Sequence, residues 1–244
     1  MLLAERVAAE IESQVIRDGW PVGRLLGSEA ELMARYGVSR SVLREAIRIV
    51  GSHQVAVMKP GPAGGLIVTA PRADSVSNVA SLYLQHEGVQ RQHLIQARLA
   101  IELQCVGIVA RSPTAKVRQS LSQALEAEAA LGVDGFLAGH MHDIHVRIAA
   151  LTGNPALGLF IDVLSGLDES LFLTRQRTTI PGFDAAANTD ASHRAHKRIV
   201  AAIIDGNAEL ARNRMKAHLL AIVRIGAKPG AEVTTSAGPG PSRR

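Results

Sequence analysis

Arg40, Arg44 and Arg48 recur every fourth residue, and at 3.6 residues per turn that spacing lines three guanidinium groups along one face of a helix. The apolar residues Val42, Leu43, Ala46, Ile47 and Val50 fall on the other side of the same segment. A guanidinium is a planar fork of donors that fits both phosphate oxygens and the O6/N7 edge of guanine. Ser39 and Ser41 stand where this helix starts, and hydroxyls and free backbone N–H groups there can donate to phosphate. Arginines at this spacing also occur on ordinary solvated helices. Their meaning depends on the elements around them.

Those elements have a readable order. Leu3, Val7, Ala8, Ile11, Val15 and Ile16 follow the three-and-four spacing of an amphipathic helix over residues 3–18, and Gly19-Trp20-Pro21-Val22-Gly23 stops it. Ser28 with Glu31 forms a capping-box pattern for a helix over about 28–35, and Gly37 suits its left-handed end. Ser39 can cap the next helix, about 39–51. Residues 54–58 and 66–69 are β-prone and flank a Pro/Gly-rich turn at 60–65, which predicts a hairpin. The sum is a winged helix-turn-helix over residues 1–70.

Residues 71–76 read as a linker, and 77–226 as an all-α bundle of six or seven helices. The expected helices are 75–87, 90–111, 114–131, 133–152, 155–178, 187–205 and 207–226, separated by glycine and proline breaks. The Gly/Pro/Ser/Thr/Arg-rich tail, 227–244, is expected to be disordered. The fold class is therefore mainly α. Of 244 residues 47% are apolar and only 3% aromatic, which suits helices packed through aliphatic faces. The formal charge of +5 permits an anionic partner, yet residues 1–70 hold 8 Lys/Arg against 7 Asp/Glu. Basic character is thus local to the arginine helix. Cys105 is the single cysteine, which excludes an internal disulfide and fits a reducing compartment. Acidic residues near the start argue against a signal peptide, and no unbroken apolar run approaches the ~18 residues of a membrane span. A cytoplasmic protein without a membrane partner is expected. Arg98 lies in an otherwise apolar helix, where its charge needs either a bound anion or an ion pair with Glu102 one turn on.

The stretch Gly37 to Ile47 resembles the G-V-S-R-x-x-V-R-E-A-L motif of the GntR family of bacterial repressors, and Gly23 to Met33 resembles its G-x-x-L-P-S-E-R-E-L-A motif. Two positions depart: Gly27 replaces the family's proline and Ala30 an arginine that helps hold DNA. The resemblance implies a double-stranded DNA operator, with Arg40 and Arg44 as leading contacts. Ser39, Ser41, Arg48 and the wing glycine Gly65 stand behind them, and Lys59 adds a wing phosphate contact. The second domain is similar to the helical FCD domain of the FadR-like branch, through Arg98 to Glu102, His145 to Asn154 and His196 to His218. That similarity implies a homodimer, a small carboxylate effector gripped by Arg98, and a divalent metal, zinc or nickel first, on His145, His196 and His218. Met141 stands where the family's metal-binding aspartate is expected; His142 is the substitute ligand, and Asp143 lies about 200° round the helix. Asn154 reads as a helix cap. The competing function is a metal-dependent hydrolase using the same three histidines.

Overall fold

The structure, a computed structural model, describes residues 2–61, 64–137, 143–173 and 184–224. The chain divides into two compact units, one ending at Val79 and one beginning at Ala80.

In the first unit the order is α1 (Leu3–Arg17), β1 (Leu25–Gly27), α2 (Glu29–Tyr36), α3 (Arg40–Ser52), β2 (Ala56–Lys59) and β3 (Gly65–Val68). Helix α1 buries Val7, Ala8, Ile11 and Val15, and α3 buries Leu43, Ala46 and Val50 in the same core, with Leu32 of α2. Each large aliphatic side chain taken from water contributes roughly 1.5–3 kcal/mol. The outer residues Leu3 and Ile16 stay exposed, and Ala4 is buried in their place. Ser28 caps α2 as expected: its Oγ accepts from the Glu31 N–H at 3.3 Å, while Glu31 Oε2 accepts from the Ser28 N–H at 2.7 Å. Gly37 ends α2 at φ +62°. Ser39 occupies the N-cap of α3 in extended conformation, but contrary to expectation its side chain caps nothing. Its Oγ shares a 3.0 Å hydrogen bond with Ser41 Oγ instead.

The hairpin has a third strand that the sequence did not announce. β1, β3 and β2 form an antiparallel sheet in that order, with Val57 opposite Ile67 and Lys59 opposite Gly65. Three residues are too few to display an alternating pattern. Gly65, expected among the DNA-binding residues of the wing, has a packing role in the sheet. It is buried in β3, and a Cβ there would lie 2.5 Å from the Gly27 carbonyl oxygen. Its hydrogen side chain lets β1 and β3 close.

Helix α4 (Ala73–His86) begins inside the expected linker, so only Pro71 and Arg72 are irregular. It buries none of its residues, which explains why no apolar period marked its start. The second unit holds α5 (Arg91–Ala110), α6 (Ala115–Leu137), α7 (Asp143–Leu151), α8 (Pro155–Asp168), α9 (Ala185–Ile204) and α10 (Ala208–Arg224). Gly132 breaks α6 with non-helical angles, as its sequence position suggested. Asn154 caps α8 by accepting from the Ala156 and Leu157 N–H groups, and a five-residue π-helical turn, Glu169–Leu173, follows Asp168. Residues 138–142 within the helix expected at 133–152, residues 174–178 at the end of that expected at 155–178, and the expected tail 227–244 lie outside the described residues.

Helix α5 supplies the second core with Ile95, Cys105, Val106, Val109 and Ala110, which meet residues of α6, α7, α8, α9 and α10. By length and composition this helix is apolar enough to cross a membrane, although Arg98 and Glu102 interrupt it and it holds no long unbroken apolar run. Its apolar character has a local cause, because the other helices of the unit pack around it and Arg98 and Glu102 are buried with it. Burial pushes the Cys105 thiol up to about 11, with the Glu102 charge adding to the effect, so thiolate chemistry is suppressed there.

Gly65→Ala should destabilise the first unit by about 1–3 kcal/mol, because the clashing atoms are backbone and the sheet must open. A thermal melt unchanged from wild type would contradict the close approach of β1 and β3.

Candidate nucleic-acid interface and candidate metal centre

On α3 the side chains of Arg40 and Arg44 are 70% and 76% exposed. Both direct Nε towards one oxygen of Glu29, at 3.6 Å and 3.9 Å. The terminal nitrogens of each guanidinium remain for other acceptors. Arg48 lies on the same face but differs in state, since it donates to Glu45 through Nε at 3.0 Å and Nη2 at 2.6 Å. Those hydrogen bonds hold the Glu45 carboxyl below its usual range. Ser39 and Ser41 are exposed at the start of α3, and Lys59 is exposed at the end of β2. Ala30 is exposed on α2, so nothing cationic stands at that position.

In the second unit His145 of α7, His196 of α9 and His218 of α10 are buried together. His218 Nε2 lies 3.1 Å from His196 Nε2 and 3.3 Å from His145 Nε2. Each of the outer two rings is held from behind. His196 Nδ1 meets Glu128 Oε2 at 2.7 Å, and His145 Nδ1 makes a very short contact with Glu102. A carboxylate at Nδ1 fixes the tautomer with Nδ1–H, which leaves the Nε2 lone pair aimed at the cluster centre. His193 shares Glu128, with Nδ1 2.8 Å from Oε1.

This arrangement passes a geometric test for a cation. Nitrogens about 2.0–2.1 Å from a tetrahedral zinc stand roughly 3.3–3.4 Å apart. These two Nε2 separations lie close to that edge length, and imidazole nitrogen suits zinc and nickel. The question of Met141 and His142 falls on residues outside the described ones. Asp143 is exposed on α7 and is not in the histidine group.

The centre continues into a chain of buried charge. Arg98, fully buried on α5, donates from Nε to Glu102 Oε1 at 2.7 Å, and its Nη1 lies 3.6 Å from Asp168 Oδ2. Arg91 grips the same Asp168 from Nε at 2.7 Å and Nη2 at 3.2 Å. Burial would raise the Glu102 pKa, but the charges of Arg98 and His145 hold it down at about 2. Burial depresses His145, against the opposing pull of Glu102. Glu128, raised by burial, is brought below its usual range by His196 and His193. The terminal nitrogens of Arg98 have no hydrogen-bond partner among the described residues, although Glu102 satisfies the ion-pair alternative. Arg91, Glu128, Asp168 and His193 escaped sequence reasoning. Only a fold brings residues 65–77 positions apart into contact.

Comparison with known proteins places both units. Residues 3–63 match the gntR family of bacterial regulatory proteins and residues 93–221 match the FCD domain. The HTH-type transcriptional repressor NanR of Citrobacter rodentium is 29% identical over 222 residues, covering 89% of this chain and 82% of that one. NanR of Cronobacter sakazakii is 27% identical over 223 residues, with the same coverage. Among solved structures, a GntR protein of Streptococcus agalactiae superposes with a TM-score of 0.60 at 20% identity, covering 91% of this chain and 99% of that one.

Glu102→Gln should cost about 3–5 kcal/mol in urea unfolding, because it strips Arg98 of its nearest countercharge in a buried site. The double variant Arg98→Met/Glu102→Gln should recover part of that loss. With the single variant Arg98→Met closing the cycle, a double-variant loss equal to the sum of the two single losses would mean the pair is not coupled.

Proposed function

This chain belongs to the gntR family of bacterial regulatory proteins and carries an FCD domain, and from that premise we propose that it is a ligand-controlled repressor of the FadR-like branch. It is a DNA-binding transcriptional regulator and not an enzyme, so the hydrolase alternative falls. In the proposed reading a homodimer in the cytoplasm sets two heads on a two-fold symmetric operator. Arg40 and Arg44 read guanine edges or phosphates, Ser39 and Ser41 donate to phosphate, and Lys59 adds a wing contact. Arg48 joins them only by giving up Glu45. The observation that carries this reading is the pair of exposed guanidiniums on α3 beside a two-stranded wing.

The effector of the proposal is a small carboxylate. Support comes from Arg98, whose terminal nitrogens are buried without a hydrogen-bond partner among the described residues, because such a cation is stabilised by an incoming anion. His145, His196 and His218 would hold a divalent metal, zinc or nickel, and Glu102 and Glu128 would orient His145 and His196. When bound, that ion supplies a Lewis-acid anchor for an effector oxygen. Control requires that the effector bind differently to the DNA-competent and DNA-free arrangements.

A duplex selected by the wild-type chain from a random-sequence pool tests the head. Arg40→Ala and Arg44→Ala should each weaken its binding by about 1–3 kcal/mol in a gel shift, and wild-type binding should fall steeply with salt. Wild-type affinity in both variants would remove these residues from the interface. For the centre, elemental analysis of protein never exposed to chelator should give about one metal per chain, and His196→Ala should lose it. A stoichiometry near zero would discard the metal.

A further inference from the structure

Glu29 is the first residue of α2, and its Oε1 is buried with no hydrogen-bond partner among the described residues. The groups nearest in charge are Arg40 Nε at 3.6 Å and Arg44 Nε at 3.9 Å. Both distances lie within Coulombic reach but beyond a hydrogen bond. A single carboxylate oxygen therefore faces the backs of two exposed guanidiniums on the neighbouring helix. We propose that Glu29 is a specificity-determining, positioning residue of the DNA interface, which holds Arg40 and Arg44 with their terminal nitrogens outward and biases them against phosphate. The inference rests on the reading of those arginines as DNA contacts.

The physical reason is a difference in charge between the two acceptors. A phosphate carries a full negative charge, so a fixed carboxylate behind the guanidinium repels it. The O6/N7 edge of guanine is a neutral dipole and feels far less of that repulsion. The carboxylate thus weakens the sequence-independent term more than the base contact. Its effect is larger here than it would be beside a third arginine, because position 30 is an exposed alanine. Glu45 already occupies Arg48, so on this face two acids stand against three arginines. Glu31, two residues on, is committed to the Ser28 cap, and it does not duplicate Glu29. A purely structural role is the competing account, since an acid in the first turn stabilises a helix through its dipole.

The test compares binding to two probes, the pool-selected duplex and poly(dA-dT), which lacks the O6/N7 acceptor pair, across a salt series. Glu29→Gln keeps the shape and removes the charge. Its affinity for poly(dA-dT) should rise about tenfold at low salt, with a log–log salt slope steeper by about 0.9, as expected for one further phosphate contact. The selected duplex should gain less, so the ratio of the two affinities falls. Glu29→Asp, which keeps the charge, should retain most of the wild-type ratio. Glu29→Ser, a second neutral variant with a good helix-start residue, should repeat the loss should the glutamine chain fold poorly. If both neutral variants keep the wild-type ratio and slope, whatever their melting temperatures, Glu29 is only structural and the proposal is overturned. Arg40→Ala and Arg44→Ala run alongside. Loss of DNA binding in these two with an unchanged ratio in Glu29→Gln sinks the Glu29 inference alone, whereas wild-type binding in all three sinks the DNA-contact reading with it.

Discussion

A guanidinium with no exposed surface, that of Arg98, sets the terms for the second unit. Removing such a charge from water costs several kcal/mol even after relaxation, and only well-placed countercharges offset it. Glu102 supplies one from the same helix, and Asp168 supplies another from α8. Each countercharge brings its own demands. Asp168 is shared with Arg91, and Glu102 extends to His145 on α7. The histidines then pass the constraint to α10 and α9, where Glu128 of α6 closes the far end. Helices α5 to α10 meet in one polar line through an aliphatic core.

Such a line restricts packing more severely than the core around it. Aliphatic side chains tolerate small rotations of a helix, because dispersion contacts are individually weak and replaceable. A buried carboxylate with two partners tolerates little, since a lost contact leaves a charged group unpaired. The arrangement also leaves imidazole nitrogens facing one another, held by carboxylates from behind. That geometry serves a shared cation better than it serves packing alone.

The first unit inverts this distribution. Its core is entirely aliphatic among the described residues of the cluster, apart from Trp20 and Tyr36 at its edge, and its arginines stand in solvent. Exposed ion pairs there contribute little to stability, so the charges of α3 are available to an external acceptor. The same residue type is thus enclosed with countercharges at Arg98 and open to solvent at Arg40, and burial makes the difference.

How much could be read in advance follows from the range of each signal. The Ser28–Glu31 cap, the Gly37 terminus and the amphipathic face of α3 are interactions over a few residues, and the sequence shows them directly. The Arg98–Glu102 pair was legible for the same reason, being one helical turn apart. The three histidines were found through resemblance to a known motif, not through spacing. β1, the burial of Gly65 and the engagement of Arg48 by Glu45 were not foreseen, and neither were the partners Glu128, Asp168 and Arg91. The sequence by itself therefore determined the order of helices, the wing and the side chains available for chemistry, since these rest on local periodicity and capping. Only the tertiary structure decided which charges share a partner and which face water, because burial and long-range contact are properties of the packed chain.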